Sequence, residues 1–139
     1  MGHYRTPSKN SKYYLPKEEY LTAIHYALRY PYLLEELQTV ANADTGQAIR
    51  YDKDKVQTSN LFDATAKTAI QRTEIQTKLD KITGALEEVT DTKEELKYLR
   101  LHVCYGVNYW GLEKKGMKCG EYRFRVMRRM FYYTLALKI

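Results

Sequence analysis

The chain has 139 residues, 44% of them hydrophobic and 29% charged, with 23 Lys and Arg against 17 Asp and Glu. That is the length and balance of one globular domain, and it excludes collagen-like and disordered classes. No stretch reaches the ~18 uninterrupted apolar residues of a membrane span, and the polar N-terminus carries no apolar signal core. The expectation is a soluble intracellular protein with no membrane partner. Two cysteines, Cys104 and Cys119, and three histidines fall short of a disulfide framework or a structural zinc site, so reduced thiols, no metal and no cofactor are expected.

Charge is unevenly spread. Residues 1–17 carry Arg5, Lys9, Lys12 and Lys17 without an acid, and 112–139 carry eight bases against Glu113 and Glu121, so the stretch between is net acidic. Basic ends around an acidic middle point toward a polyanion, most often nucleic acid.

Residues 1–15 are polar, basic and largely without period, and are expected to form a flexible arm. Over 16–40 the pattern predicts two helices. Pro16 suits a first helical turn, Glu18 and Glu19 suit the positive end of the helix dipole, and Leu21, Ile24 and Leu28 recur at helical spacing. His25 falls in the apolar part, where a packed histidine is expected. Pro31 breaks the first helix and can open a second, running to about Val40.

Residues 41–62, rich in Asn, Asp, Gly, Ser and Thr, are expected to form a long loop. From 63 to 90 the pattern predicts a long helix whose Ile75, Leu79, Ile82, Leu86 and Val89 are spaced 4, 3, 4, 3. Such a heptad seam suits either a helix hairpin or a two-chain coiled coil, that is, a homodimer.

Residues 92–139 are expected to form a helix-turn-helix-like unit. Thr92 with Glu95 is a capping box, and Gly106 a natural stop. A short helix over 108–115 ends at Gly116, and a final helix starts near Gly120 or Glu121. Leu112, Met117 and Tyr122 stand at the offsets from Gly116 that such a motif buries. No segment alternates with period two, so the fold class is all-α, a helical bundle with a long central helix. Projected at 100° per residue, the final helix groups Tyr122, Val126, Met130, Tyr133 and Leu137 as a buried seam. Arg125, Arg128, Arg129 and Tyr132 then form an exposed basic stripe. Guanidinium groups take phosphate bidentately or reach guanine edges, and a tyrosine hydroxyl can hold a phosphate. Arg123, in the first turn, is expected to contact bases, while Lys114, Lys115 and Lys118 lie where backbone phosphates pass.

The Tyr-Leu-Pro-Lys-x-Glu-Tyr-Leu segment at 14–21, the Tyr30-Pro31 break, and the Gly-Met-Lys-Cys-Gly turn into an Arg-Arg-x-Phe-Tyr helix resemble small phage and prophage proteins of the RinA-type late transcription regulators. The C-terminal third is also similar to the helix-turn-helix of region four in bacterial sigma factors. The resemblance implies a DNA-binding transcription regulator acting on double-stranded DNA in the cytoplasm of a bacterial host. The alternative is a phage-encoded inhibitor or accessory factor that grips a host nucleoprotein complex, such as RNA polymerase or a CRISPR effector, which the 14 tyrosines favour. No phosphate loop, nucleophile–base arrangement or paired carboxylates mark an enzyme, so no catalytic residue is expected.

Overall fold

Local signals of capping and glycine geometry account for where several helices begin and end. In the computed structural model, which describes the backbone of residues 7–50 and 58–139 and the side chains of 7–42 and 66–139, six helices and no strand occur among the described residues. They are α1 (Lys17–Leu28), α2 (Tyr30–Arg50), α3 (Thr58–Val89), α4 (Lys93–Tyr105), α5 (Tyr109–Lys114) and α6 (Glu121–Lys138). The protein is all-α with a long central helix.

The Thr92–Glu95 box forms. The Glu95 N–H donates to Thr92 Oγ1 at 3.1 Å, and the Asp91 N–H donates to Glu95 Oε1 at 2.9 Å. At the other end of α4, Gly106 takes φ 75°, its N–H bonds the His102 carbonyl, and the Val107 N–H bonds Leu101, a Schellman closure that an L side chain would strain. Pro16 serves as the N-cap of α1, one position before the helix, and α2 starts within two residues of the end of α1.

The expected loop over 41–62 is corrected at both ends. α2 continues to Arg50 and α3 begins at Thr58, while 51–57 lie outside the described residues. Ala41, Ala43 and Ala48 are strong helix formers, and one Gly46, costing about 1 kcal/mol relative to Ala, does not stop a helix they favour.

The chain groups into two units, Met1–Pro31 with Lys81–Ile139, and Tyr32–Asp80. In the second, Leu33 and Val40 of α2 and Ile75 and Leu79 of α3 are buried. In the first, α1 packs on α6 and α4, and α4 also packs on α5 and α6. Ile24, Leu99, Val103, Leu112, Phe131 and Leu135 are nearly or fully inaccessible there, as are Ile82 and Leu86 from the end of α3. All five seam residues, Ile75, Leu79, Ile82, Leu86 and Val89, are thus buried within a single chain. Their burial therefore needs no second copy. His25, expected to be packed, is exposed on α1.

The expected buried face of α6 is also corrected. Phe124, Met127, Phe131, Tyr132 and Leu135 are buried, whereas Tyr122 is 81% and Leu137 70% exposed. The turn after α5 extends to Gly120, and moving the inward position from 122 to 124 rotates the helix by 200°, almost onto its opposite side. Apolar residues occupy both faces. The two Phe, with no polar handle, go inside, and Tyr122, with its hydroxyl, stays out.

This register makes a direct prediction for urea denaturation. Phe124→Ala should lose about 3–5 kcal/mol, whereas Tyr122→Ala should change stability by no more than about 0.5 kcal/mol. The opposite ranking would restore the face expected from the projection.

Candidate nucleic-acid interface

α5, the turn at 115–120 and the start of α6 are held to one another and to α4 by few but specific bonds. Asn108 caps α5, its Oδ1 accepting from the Gly111 N–H at 2.7 Å. Gly116, at φ 104°, reverses the chain, and the Met117 N–H then bonds the Leu112 carbonyl as the Met117 side chain turns into the core. The Tyr109 hydroxyl donates to the Cys119 carbonyl at 3.0 Å, and the Tyr109 ring lies 5.6 Å from that of Phe124. Tyr98 of α4 donates to the Lys115 carbonyl at 3.3 Å. Leu112 and Met117 are buried as the motif offsets require; Tyr122, the third such position, is not.

The sequence-predicted basic residues divide into separate groups. Arg125, Arg128 and Arg129 come together along one edge of α6, where with His102, Tyr109, Trp110, Glu121 and the arm residues Pro7, Ser8 and Ser11 they wall a hollow of about 700 Å³. Arg125 pairs with Glu121 one turn away at 2.5 Å. Arg128 is half-buried, and its Nε is inaccessible and without a hydrogen-bond partner. Arg129 is exposed.

Arg123 and Lys118 border a different, smaller hollow beside the start of α4, shared with Glu94 and Glu95. The Arg123 guanidinium is engaged there. Its Nε donates to Glu95 Oε2 at 2.7 Å and its Nη2 to Asp91 Oδ2 at 3.0 Å. The Arg123 hydrogen bond holds the Glu95 carboxyl below its ordinary value, outweighing the opposite effect of burial. Arg123, expected to contact bases, thus makes an intramolecular tie between α6 and α4 in this structure, with acids about thirty residues upstream. Lys114 and Lys115 are exposed at the end of α5.

Tyr132 is corrected as well. Expected on the exposed stripe, it is 5% accessible and meets Tyr20 of α1 edge-on, ring centroids 5.4 Å apart. It belongs to the core between α1 and α6.

Two exposed aromatics were not singled out in the sequence as site residues, Trp110 at 64% and Tyr122 at 81% exposure. Trp110 follows the N-cap of α5 by two residues, a signal that the side chain sits on a short helix with little room to bury it. His102 is another. Its Nδ1 lies 2.7 Å from the Val107 carbonyl, and since that oxygen can only accept, Nδ1 carries the proton. Burial lowers the His102 pKa against the raising effect of that bond, and nearby Arg128 lowers it further, so the ring is neutral at pH 7 with Nε2 free to accept. Burial pushes the Cys104 thiol up to about 12, and Cys119 is raised in the same direction. Both cysteines are free. Among the described residues, no group of three or more His, Cys, Asp or Glu could hold a metal ion, and no helix is long and apolar enough to cross a membrane.

The Arg123 tie has a signed pH dependence. Because the Glu95 carboxyl is held below its ordinary value of 4.5, the stabilisation is complete above that value and is lost as pH falls through the lowered one. Arg123→Ala should thus lower the Tm at pH 7 and have progressively less effect on acidification below pH 4.5, as followed by circular dichroism. No family model, no curated protein and no solved structure matches the chain.

Proposed function

We propose that this protein is a phage- or prophage-encoded transcription regulator that binds duplex DNA through α6, working in the cytoplasm of its bacterial host. The observation that carries this reading is the outward ridge of Tyr122, Arg125 and Arg129, exposed at spacings of three and four residues while the opposite face of the helix packs inside. α4, α5 and α6 then act as the three helices of a helix-turn-helix unit, with α6 entering the major groove by its N-terminal turns. Reading of bases passes from Arg123, whose two bonds to Asp91 and Glu95 tie α6 to another segment, to Tyr122 and to Arg125, whose ion pair is with Glu121 of its own helix. Arg125 can exchange its exposed bond to Glu121 for a guanine edge, and an exposed ion pair of this kind contributes little stability to give up. Lys114, Lys115, Lys118 and Arg129 supply charge toward the phosphates. The family resemblance set out above supports the regulatory role.

A protein-binding role is favoured by the same aromatics. Tyr122, Trp110 and Leu137 are large and exposed, and exposed Tyr and Trp are the side chains enriched where partners dock. On that reading the target is a host nucleoprotein complex and the arginines grip its nucleic acid.

Selection from random duplexes followed by titration tests the regulator. Wild-type protein should enrich one sequence, and Arg125→Ala should lower affinity for it by about 1–3 kcal/mol while sparing non-specific binding. Arg129→Ala should instead weaken all duplexes alike and reduce the slope of log K against log salt by about 1. Absence of any enriched duplex, with capture of RNA polymerase or a CRISPR effector that Tyr122→Ala abolishes, would establish the inhibitor in its place.

A further inference from the structure

We infer that the hollow between the arm, the start of α5 and α6 is a binding site for a nucleoside 5′-phosphate, adjoining the outward ridge of α6 and sharing Arg125 and Arg129 with it. The charge count is the first ground. Arg125, Arg128 and Arg129 face a single carboxylate, Glu121, and His102 is neutral, leaving two positive charges in one concavity. A phosphate monoester carries −1.5 to −2 at neutral pH, which balances them.

An unsatisfied donor is the second ground. Arg128 Nε is inaccessible and has no acceptor among the described residues. A buried donor without a partner costs free energy, and this one stands in the wall of a hollow large enough to admit an acceptor. Nε itself is closed to the hollow as the side chain stands, so a phosphate oxygen reaches it once Arg128 turns toward the ligand, and guanidinium binds phosphate through two parallel N–H groups. Ser8 and Ser11 of the arm add hydroxyls. Each oxygen already accepts a bond from the N–H two residues on, Asn10 and Tyr13 respectively, and keeps its proton to donate.

The remaining wall is aromatic. Trp110 is 64% exposed and meets Tyr109 at a near-perpendicular 78°, ring centroids 5.7 Å apart, so Tyr109 is not stacked parallel on the indole. Tyr109 is backed by Phe124, and Phe124 meets the His102 ring at 5.1 Å, a continuous aromatic run from the exposed rim to the buried floor. A base can stack on the exposed indole, as bases do on exposed aromatic side chains regardless of sequence. His102 Nε2, an acceptor at neutral pH, suits a sugar hydroxyl. A volume of about 700 Å³ lies within the range of small-molecule sites. The same chemistry is presented by a free nucleotide and by the 5′-phosphorylated end of a strand.

Trp110 is the only tryptophan in the chain, so its fluorescence reports the site directly. Titration of the full chain with AMP, CMP, GMP and UMP should quench it saturably, while adenosine, lacking the phosphate, binds at least tenfold more weakly. By isothermal calorimetry, Arg128→Gln should weaken AMP at least tenfold and Trp110→Leu by a similar factor. Lys97→Ala, which removes an equal charge outside the hollow, should leave binding unchanged. A parallel arm with 5′-phosphorylated and 5′-hydroxyl tetranucleotides identifies the source. Tighter binding of the phosphorylated strand than of AMP assigns a strand end, and equal or weaker binding assigns the free nucleotide. Far-UV circular dichroism accompanies each variant, and wild-type protein carries the decisive outcomes. The proposal is overturned if none of the nucleotides or strands binds folded wild-type protein, or if inorganic phosphate binds as tightly as AMP. It is likewise overturned if Lys97→Ala weakens AMP as much as Arg128→Gln does. None of these measurements uses duplex DNA, and Arg128 and Trp110 lie outside the ridge, so the site is tested separately from the duplex-binding role although the two share Arg125 and Arg129.

Discussion

The seating of α6 on α1 and α4 is the constraint from which the arrangement of charge follows. Phe124, Met127, Phe131 and Leu135 recur at spacings of 3, 4 and 4 and are all within 3% of complete burial, and a stripe of that kind fixes the rotation of a helix about its axis. Once these four point inward, every other residue of α6 has its direction assigned. Tyr122, Arg125 and Arg129 turn out, Arg128 lies at the edge of the buried sector, and Arg123 is brought over the N-terminus of α4. Tyr132, next to Phe131, goes in and fills the space above Tyr20.

That rotation separates cations that look alike in the sequence. Arg123 is consumed by Glu95 and Asp91, which also make the cap of α4, so a single cluster both begins one helix and anchors another. At the far end of α6, Lys138 donates to Glu88 at 2.8 Å, close over Gly84, and ties the helix to the end of α3. Of the arginines in between, Arg125 pairs with Glu121 of its own helix, and Arg125, Arg128 and Arg129 are gathered around the hollow. The cations of α6 are thus divided by whether they meet an acid of another segment, as Arg123 and Lys138 do, or not.

Much of the helical framework was legible because its signals are local. The capping box at Thr92, the stop at Gly106, the break near Pro31 and the burial of Leu112 and Met117 around Gly116 depend on residues within a few positions of each other. The helical stretch within 41–50 was not legible, because Asn, Asp, Thr and Gly spread among its alanines imitate loop composition. The inward face of α6 was missed for another reason. Two apolar sectors compete on that helix, and only the shape of α1 and α4 decides between a Tyr-led and a Phe-led face. The role of Arg123 required knowing that 91 and 95 lie beside 123, which no local pattern contains. Trp110 and His102 joined the candidate site only when the arm and α6 came together in space.

The packing of α1 against α6 carries a consequence for synthesis. About ninety residues separate the end of the first from the start of the last, and closing so long a loop costs about 4 kcal/mol from the logarithmic term alone. At a ribosomal rate of about 5–20 residues per second, α1 waits on the order of 5–20 s before its partner has been made. During that interval Tyr20, Ile24 and their neighbours on α1 lack the α6 surface that covers them in the finished fold. A nascent chain therefore carries an apolar stripe on α1 that only the last helix made can cover, and a product ending before α6 would leave that stripe without the surface it packs on.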